Sequence, residues 1–143
     1  MNNDKNALGD LQWHGVLILV LLTLQFALGM AINLFVAFPS SGSPGDYWVF
    51  AWSQGAFAAH VVVGILIFLL LLFLLVRSVL LEKWSWTVAS TLGLCGMAMA
   101  IAGGVEFVPS QTGSFSYLMT FGFIASFWSM TAHFVYVAHS KLQ

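Results

Sequence analysis

Histidine is the residue type in this chain best suited to chemistry inside an apolar environment. His60 is the only readily titratable group in an uncharged stretch of about 24 residues (53–76). A neutral imidazole is a common axial ligand for haem and a common ligand for metal ions. The alternative is a hydrogen bond to a polar side chain of another helix, for which Gln25, Asn33 and Glu106 are available. The sequence leaves both interpretations open.

His14 and His133 form a second pair of possible ligands. Eleven residues, about three helical turns, separate His14 from Gln25, and the same interval separates Gly122 from His133. Each histidine therefore shares a helix face with a residue that is expected to point inward. If the two helices are neighbours, the imidazoles could bind one haem or metal ion. The alternative is that both rings lie at the membrane boundary and are partly hydrated.

Met119 and Glu106 could complete such a site. Met119 follows the position that matches His60 in a faint internal repeat, and a thioether can be an axial haem ligand, although methionine is also an ordinary packing residue. Glu106 is a carboxylate near the end of an apolar segment, where the helix macrodipole disfavours negative charge. It could pair with His60, or it could be an exposed boundary residue.

Known catalytic motifs do not accompany these residues. The chain has no Gly-rich phosphate loop, nucleophile elbow, His-Glu-x-x-His or Cys-x-x-Cys pattern, so hydrolysis and phosphoryl transfer are not indicated. The lone Cys95 lies in an apolar segment and is predicted to be a small buried packing residue. A net charge of -1 offers no basic surface for nucleic acid. The sequence therefore does not indicate an enzyme and predicts no nucleic-acid partner.

The elements that position these residues are membrane spans. Hydrophobic residues make up 60% of the chain and charged residues 6%, whereas about a quarter of residues are charged in soluble domains. Four apolar stretches each suit a span of roughly 20 residues, at about 13–38, 53–76, 86–108 and 115–137. The pattern predicts an all-α, polytopic membrane protein in which two hairpins form a four-helix bundle within one domain, 1–143. Residues 39–47 are predicted to be a loop.

The basic residues predict an orientation. Lys5 precedes the first span, Arg77 and Lys83 lie in the connection between the second and third spans, and Lys141 follows the fourth. All four are therefore on one side, and Lys and Arg are concentrated in cytoplasmic connections. Both termini are predicted to be cytoplasmic, with the chain in the cell membrane and the bilayer as its first partner.

Small residues predict which helix faces point inward. Lipid is as apolar as leucine, so helices in a bilayer associate through close packing of small residues and a few polar contacts. Gly96, Ala100 and Gly104 recur every four residues, which predicts that the third span packs closely against a neighbour. The same spacing predicts inward faces in two other spans: Gln25, Gly29 and Asn33 in the first, and Gly122, Ser126, Ser129 and His133 in the fourth.

The hairpin pattern resembles a known family. The second span opens with His60-x-x-x-Gly64, and the span before it carries Leu24-Gln25 followed by Gly29. This arrangement resembles one half of the haem A synthase family and small four-helix membrane proteins of that half-sized layout. In those proteins a second histidine opens the fourth span, and the two histidines bind a b-type haem near the outer surface.

Two positions depart from that family pattern. Leu118 stands where the second histidine is expected, and Phe57 stands where the synthases carry an acidic residue. The resemblance therefore carries over His60 alone, and the two departures count against haem A synthesis. Three alternatives stay open: a haem b held by His60 with Met119, a haem b held by His14 with His133, and a descendant of the family without haem.

Three functional classes follow from the sequence. The first is a non-enzymatic accessory or structural subunit, whose small-residue faces bind other membrane subunits or a second copy of the chain. The alternative is a redox module of cytochrome b type, in which inward histidines hold haem b for electron transfer. A further alternative is a small transporter that acts as a dimer.

Overall fold

Five α-helices account for almost all of the residues that the structure, a computed structural model, describes. It describes residues 2–140, with side chains over 9–137. Lys141 and the side chain of Lys5 therefore lie outside the described part. The helices are α1 (Asn2–Phe35), α2 (Pro44–Ser53), α3 (Gly55–Leu80), α4 (Trp84–Ser110) and α5 (Gly113–Ser140).

Four of these helices are long and apolar enough to cross a membrane. The candidate spans are 25 to 27 residues long, compared with the roughly 20 residues that a bilayer requires. They cover Gly9–Phe35, Gly55–Leu80, Trp84–Ser110 and Gly113–Val137. The prediction of an all-α, multi-pass membrane protein built as a four-helix bundle is confirmed.

The long helices pack in chain order and close into a bundle. Helix α1 packs against α3, α3 against α4, and α4 against α5. Helix α5 in turn contacts α1, where the rings of Phe26 and Phe123 stack with their centroids 5.8 Å apart. An ion pair of 3.6 Å between Asp10 and Arg77 joins the start of α1 to the end of α3, as expected for antiparallel neighbours. All four long helices contribute to the main core, which consists of Leu11, Ile18, Leu22, Ile67, Leu71, Leu74, Trp86, Ala89, Met97 and Met130.

The closest helix pair is α4 and α5, where small residues let the two backbones meet. A Cβ atom on Gly96 would lie only 2.6 Å from the carbonyl oxygen of Gly122. The Ser126 hydroxyl donates to the carbonyl of Gly93 at 2.8 Å, which adds a polar contact across the interface. The predicted close packing of the third span is confirmed. The predicted inward face of α5 is confirmed as well, since Gly122, Ser126 and His133 are buried and Ser129 is half-buried.

The prediction of a loop over 39–47 is wrong at its end, because Pro44 begins the short helix α2. The Ser43 hydroxyl accepts a hydrogen bond from the backbone of Asp46, and the Asp46 side chain accepts one from the Ser43 backbone. Those reciprocal bonds form a capping box and stabilise a helix start. They also lower the pKa of Asp46, because both the backbone and the side chain of Ser43 donate to the charged carboxylate.

Two smaller predictions about helix ends also need correction. Asn33 was expected to point inward, but its side chain is exposed. It lies two residues from the end of α1 at Phe35, a level at which a polar side chain can reach the headgroup layer. The third span was expected to end at about 108, but α4 continues through Pro109 to Ser110, and Gln111 ends it in the left-handed conformation with φ of 51°.

Candidate functional site

A buried polar contact joins α1 to α3. The side-chain amide of Gln25 lies 3.1 Å from Nε2 of His60, and the amide donates to the imidazole nitrogen. Gln25 is 7% exposed and His60 is half-buried, so the Gln25 side of this contact is shielded from lipid and water. The hydrogen bond to Gln25, which was one of the alternatives for His60, is confirmed.

Two glycines make room for this contact in a reciprocal way. Gly29 follows Gln25 by four residues on α1, and Gly64 follows His60 by four on α3. A Cβ atom on Gly29 would lie 3.3 Å from Cε1 of His60, and one on Gly64 would lie 3.1 Å from Nε2 of Gln25. Each polar side chain therefore lies over the glycine of the opposite helix. A third residue, Met97 of α4, closes the site with its methyl group 3.6 Å from that Gly64 position.

The site keeps two polar atoms without a hydrogen-bond partner among the described residues. They are Oε1 of Gln25 and Nδ1 of His60. A haem iron or metal ion at Nε2 of His60 would have to displace Gln25, while Nδ1 lies toward the α1 backbone at Gly29. The geometry of the described residues favours a structural role for His60, in which its hydrogen bond with Gln25 connects α1 to α3. The role of His60 as a haem ligand stays a prediction.

We expect the Gln25 and His60 side chains to be energetically coupled. Interhelical hydrogen bonds in membrane proteins contribute about 0.6 kcal/mol on average and at most about 1.7 kcal/mol. Replacing both residues, as in Gln25→Leu with His60→Leu, should therefore cost less than the sum of the two single replacements by about that amount. The measurement is a double-mutant cycle of unfolding free energies in mixed micelles. Gln25→Leu combined with Thr91→Val, at an exposed position of α4, should be additive, and additivity in the His60 cycle would refute the coupling.

A buried histidine, His133, lies where α1, α4 and α5 meet. His133 is 5% exposed, and its ring centroid is 4.0 Å from that of Trp86. Gly15 of α1 leaves space for this cluster, since a Cβ there would lie 2.8 Å from Phe134 and 2.9 Å from Trp86. Nε2 of His133 is buried without a hydrogen-bond partner among the described residues.

The ring of His14 contacts α3, whereas the ring of His133 contacts α4. Its Nδ1 donates to the carbonyl of Asp10 at 2.7 Å, and its ring lies 5.3 Å from that of Phe73 on α3. The ring contacts of His133 are to Trp86 and Phe134. The structure thus gives the two histidines separate neighbours, and a haem or metal ion shared between them stays a prediction.

Met119 and Glu106 lie away from the contact between Gln25 and His60. The sulfur of Met119 lies 3.4 Å from the position of a Cβ on Gly104, so this residue packs in the interface of α4 and α5. Glu106 is exposed, and its backbone carbonyl accepts a hydrogen bond from Ser110. Met97 is the methionine that the structure brings to the Gln25 site. Sequence spacing offered no signal for it.

The described residues contain no group of three or more His, Cys, Asp or Glu side chains arranged to hold a metal ion. Comparisons with protein-family models, with curated proteins and with solved structures found no match. The resemblance to the haem A synthase family therefore stays a prediction from the sequence. The fold and the site define a multi-pass helical membrane protein with an internal polar contact between two of its spans.

Proposed function

We propose that this chain is an accessory subunit of a larger membrane assembly and that it binds a helix of another subunit through the outward face of α4. This face consists of Thr91, Cys95, Ala98 and Ala102, which are all exposed, so the prediction that Cys95 is buried is wrong. They recur every three or four residues, so they form one stripe along the helix. The outward α4 face is the observation that carries the proposal.

Small side chains on a lipid-facing surface contribute little contact with lipid, but they allow the backbone of another helix to approach closely. Over 62–76 the outward surface of α3 has no exposed small residue, whereas on α4 the small residues are flanked by exposed Val88, Leu92, Ile101 and Val105. The exposed residues of α3 over this range are large and apolar, as expected for a surface covered by lipid tails: Val62, Ile65, Leu66, Leu69, Leu72, Phe73 and Val76. The difference between the two helices supports a protein partner at α4 and lipid at α3.

The glycines of α4 are already used inside the chain. Gly93, Gly96 and Gly103 are buried, and the last two meet the α5 backbone. They leave no small-residue face for a partner on that side.

A groove of about 510 Å³ runs beside the outward α4 face, with Cys95 and Leu92 on one wall and Trp128 on the other. The groove could receive larger side chains of a partner helix.

We also infer that both termini face the cytoplasm. Arg77 lies in the last turn of α3, and Lys83 directly precedes α4. Because the number of spans is even, the two termini are on the same side as this connection. The outer connections, 36–54 and 111–112, contain no Lys or Arg. The bias supports insertion with the basic side toward the cytoplasm of the cell membrane.

We expect a photoactivatable amino acid at Leu92 to form one discrete adduct with another protein in native membranes. The matched position is Leu69 on α3, because the two leucines are similarly exposed, at 56% and 54%. Adding Ala98→Phe should lower the Leu92 adduct by at least about fivefold, since overpacking costs roughly 1–3 kcal/mol. Ala59→Phe, at an exposed alanine of α3, should leave the adduct unchanged. The readout is adduct yield by immunoblot, with mass spectrometry of the band.

Two outcomes would overturn the accessory-subunit proposal. The first is a Leu92 adduct that gives no more discrete a band than the Leu69 adduct, or a Leu92 adduct whose yield Ala98→Phe does not lower. The second is an adduct of the chain with itself, which would identify a second copy as the occupant of the outward α4 face.

A further inference from the structure

We propose that α2 is an interfacial helix that binds the lipid headgroup layer through Val49 and Trp52. The inference concerns the bilayer rather than a protein partner, and it does not depend on the accessory role. Helix α2 is ten residues long and lies between the first two membrane spans.

The chain places α2 at the membrane boundary. Only Gln54 separates the end of α2 at Ser53 from the start of α3 at Gly55. Two residue steps reach at most about 7 Å. The polar layer on each side of the hydrocarbon core is about 5–8 Å thick. The last turn of α2 therefore lies within or directly against this layer.

One face of α2 holds it against the end of the bundle. Ala51 is fully buried in a second core cluster with Phe57 of α3 and Val108 of α4. The Trp48 ring meets that of Phe57 edge to face, with centroids 6.3 Å apart. Because contacts to two spans fix this side, the opposite side of α2 has a defined direction.

The side of α2 that lies away from Ala51 is apolar and holds Val49, which is 74% exposed. Trp52 flanks this side. Its ring meets that of Phe57 edge to face, with centroids 5.5 Å apart, but 52% of the residue is still exposed next to Val49. In water this surface would be unfavourable, whereas tryptophan is enriched at membrane interfaces. Amphipathic helices bind there through apolar side chains. The exposed face is thus continuous with the bilayer surface of the neighbouring spans.

The start of α2 supplies the polar end that such a helix needs. Asp46 is exposed, and its carboxylate accepts hydrogen bonds from both the backbone and the hydroxyl of Ser43 at 2.8 Å. This end carries the only formal charge of α2. We infer that Asp46 faces water while Val49 and Trp52, further along the helix, face the headgroups and upper acyl chains.

The test is a nitroxide label at position 49 in purified protein reconstituted into phosphatidylcholine vesicles. Val49→Cys is made together with Cys95→Ser, so that the label is unique. Collision rates with oxygen, which is concentrated in lipid, and with a water-soluble nickel chelate are compared at three positions. Ser41→Cys marks the outer connection, and Leu69→Cys marks a lipid-facing position within a span.

We expect the ratio of oxygen to nickel collisions at position 49 to exceed that at position 41 at least twofold and to remain below that at position 69. A ratio equal to that at position 41 would overturn the proposal, as would a label shielded from both reagents, which would mean that protein covers the face. As a second measurement, the fluorescence lost in Trp52→Phe should be quenched more strongly by lipids brominated near the headgroup than by lipids brominated at the chain end. The reverse order would also contradict the interfacial position.

Discussion

Replacing Gly122 with alanine is expected to lower the free energy of unfolding by about 1–3 kcal/mol, the usual cost of forcing extra carbon atoms into a packed core. A Cβ at this position would meet the carbonyl oxygen of Gly96 and the backbone of Ala100. Backbone atoms cannot rotate away as a side chain can, so α4 and α5 would have to separate. The separation would also weaken the hydrogen bond between Ser126 and Gly93.

The matched control for Gly122→Ala is Gly113→Ala, on the same helix. Nothing lies within 4 Å of a Cβ at Gly113, so this substitution should change stability only slightly. Both variants can be compared by reversible unfolding in mixed micelles, with helicity measured by circular dichroism. Equal stability of the two variants would show that α4 and α5 are not in backbone contact at Gly122.

Replacing Trp86 with alanine is expected to cost about 3 kcal/mol. Large-to-alanine replacement of buried aromatic residues costs about 3–5 kcal/mol in soluble proteins, and part of that cost reflects transfer from water. A lipid environment supplies less of this part, so the expected value lies at the lower end. Trp86 is 1% exposed and packs on His133 and Phe134. Its loss would leave a cavity where α1, α4 and α5 meet.

Trp84 is the matched control for Trp86, because it lies two residues earlier on the same helix and is 77% exposed. Trp84→Ala should change the free energy of unfolding by less than about 0.5 kcal/mol, as is usual for surface positions. The same mixed-micelle unfolding assay distinguishes the two variants. If Trp84→Ala were as destabilising as Trp86→Ala, the assignment of Trp86 to the core would be wrong.

Hydropathy and helical spacing were sufficient to predict the spans and most of their inward faces. The stripe of Gly122, Ser126 and His133 could be identified because small and polar residues on a spanning helix gain most by facing other helices. The same argument identified Gln25 and Gly29. It failed for Asn33, because a residue near the end of a span can reach polar headgroups without turning inward.

Which helices are neighbours could not be derived from spacing alone. The sequence offered three hydrogen-bond partners for His60, and the choice of Gln25 depends on the packing of α1 against α3. The position of Met97 at this contact depends on the packing of α3 against α4. Spacing describes one helix at a time, whereas a site between helices is fixed by their arrangement.

Helix α2 was missed for a different reason. Ten residues are too few for a spanning signal, and the turn-forming residues before it favoured a loop. The sequence nevertheless contained the local signal, since Ser43 followed by Pro44 and by Asp46 matches a capped helix start. The capping pattern would therefore have predicted α2, which hydropathy alone did not predict.

We propose that the four spans cross the membrane with both termini in the cytoplasm. The direct test is cysteine labelling with a membrane-impermeant maleimide in intact cells, using single cysteines in a Cys95→Ser background. Ser41, Glu82 and Thr112 are suitable positions, since they lie in the three connections between spans. We predict that positions 41 and 112 are labelled from outside and that position 82 is labelled only after permeabilisation. Labelling of position 82 in intact cells, or labelling of positions 41 and 112 from opposite sides, would contradict it.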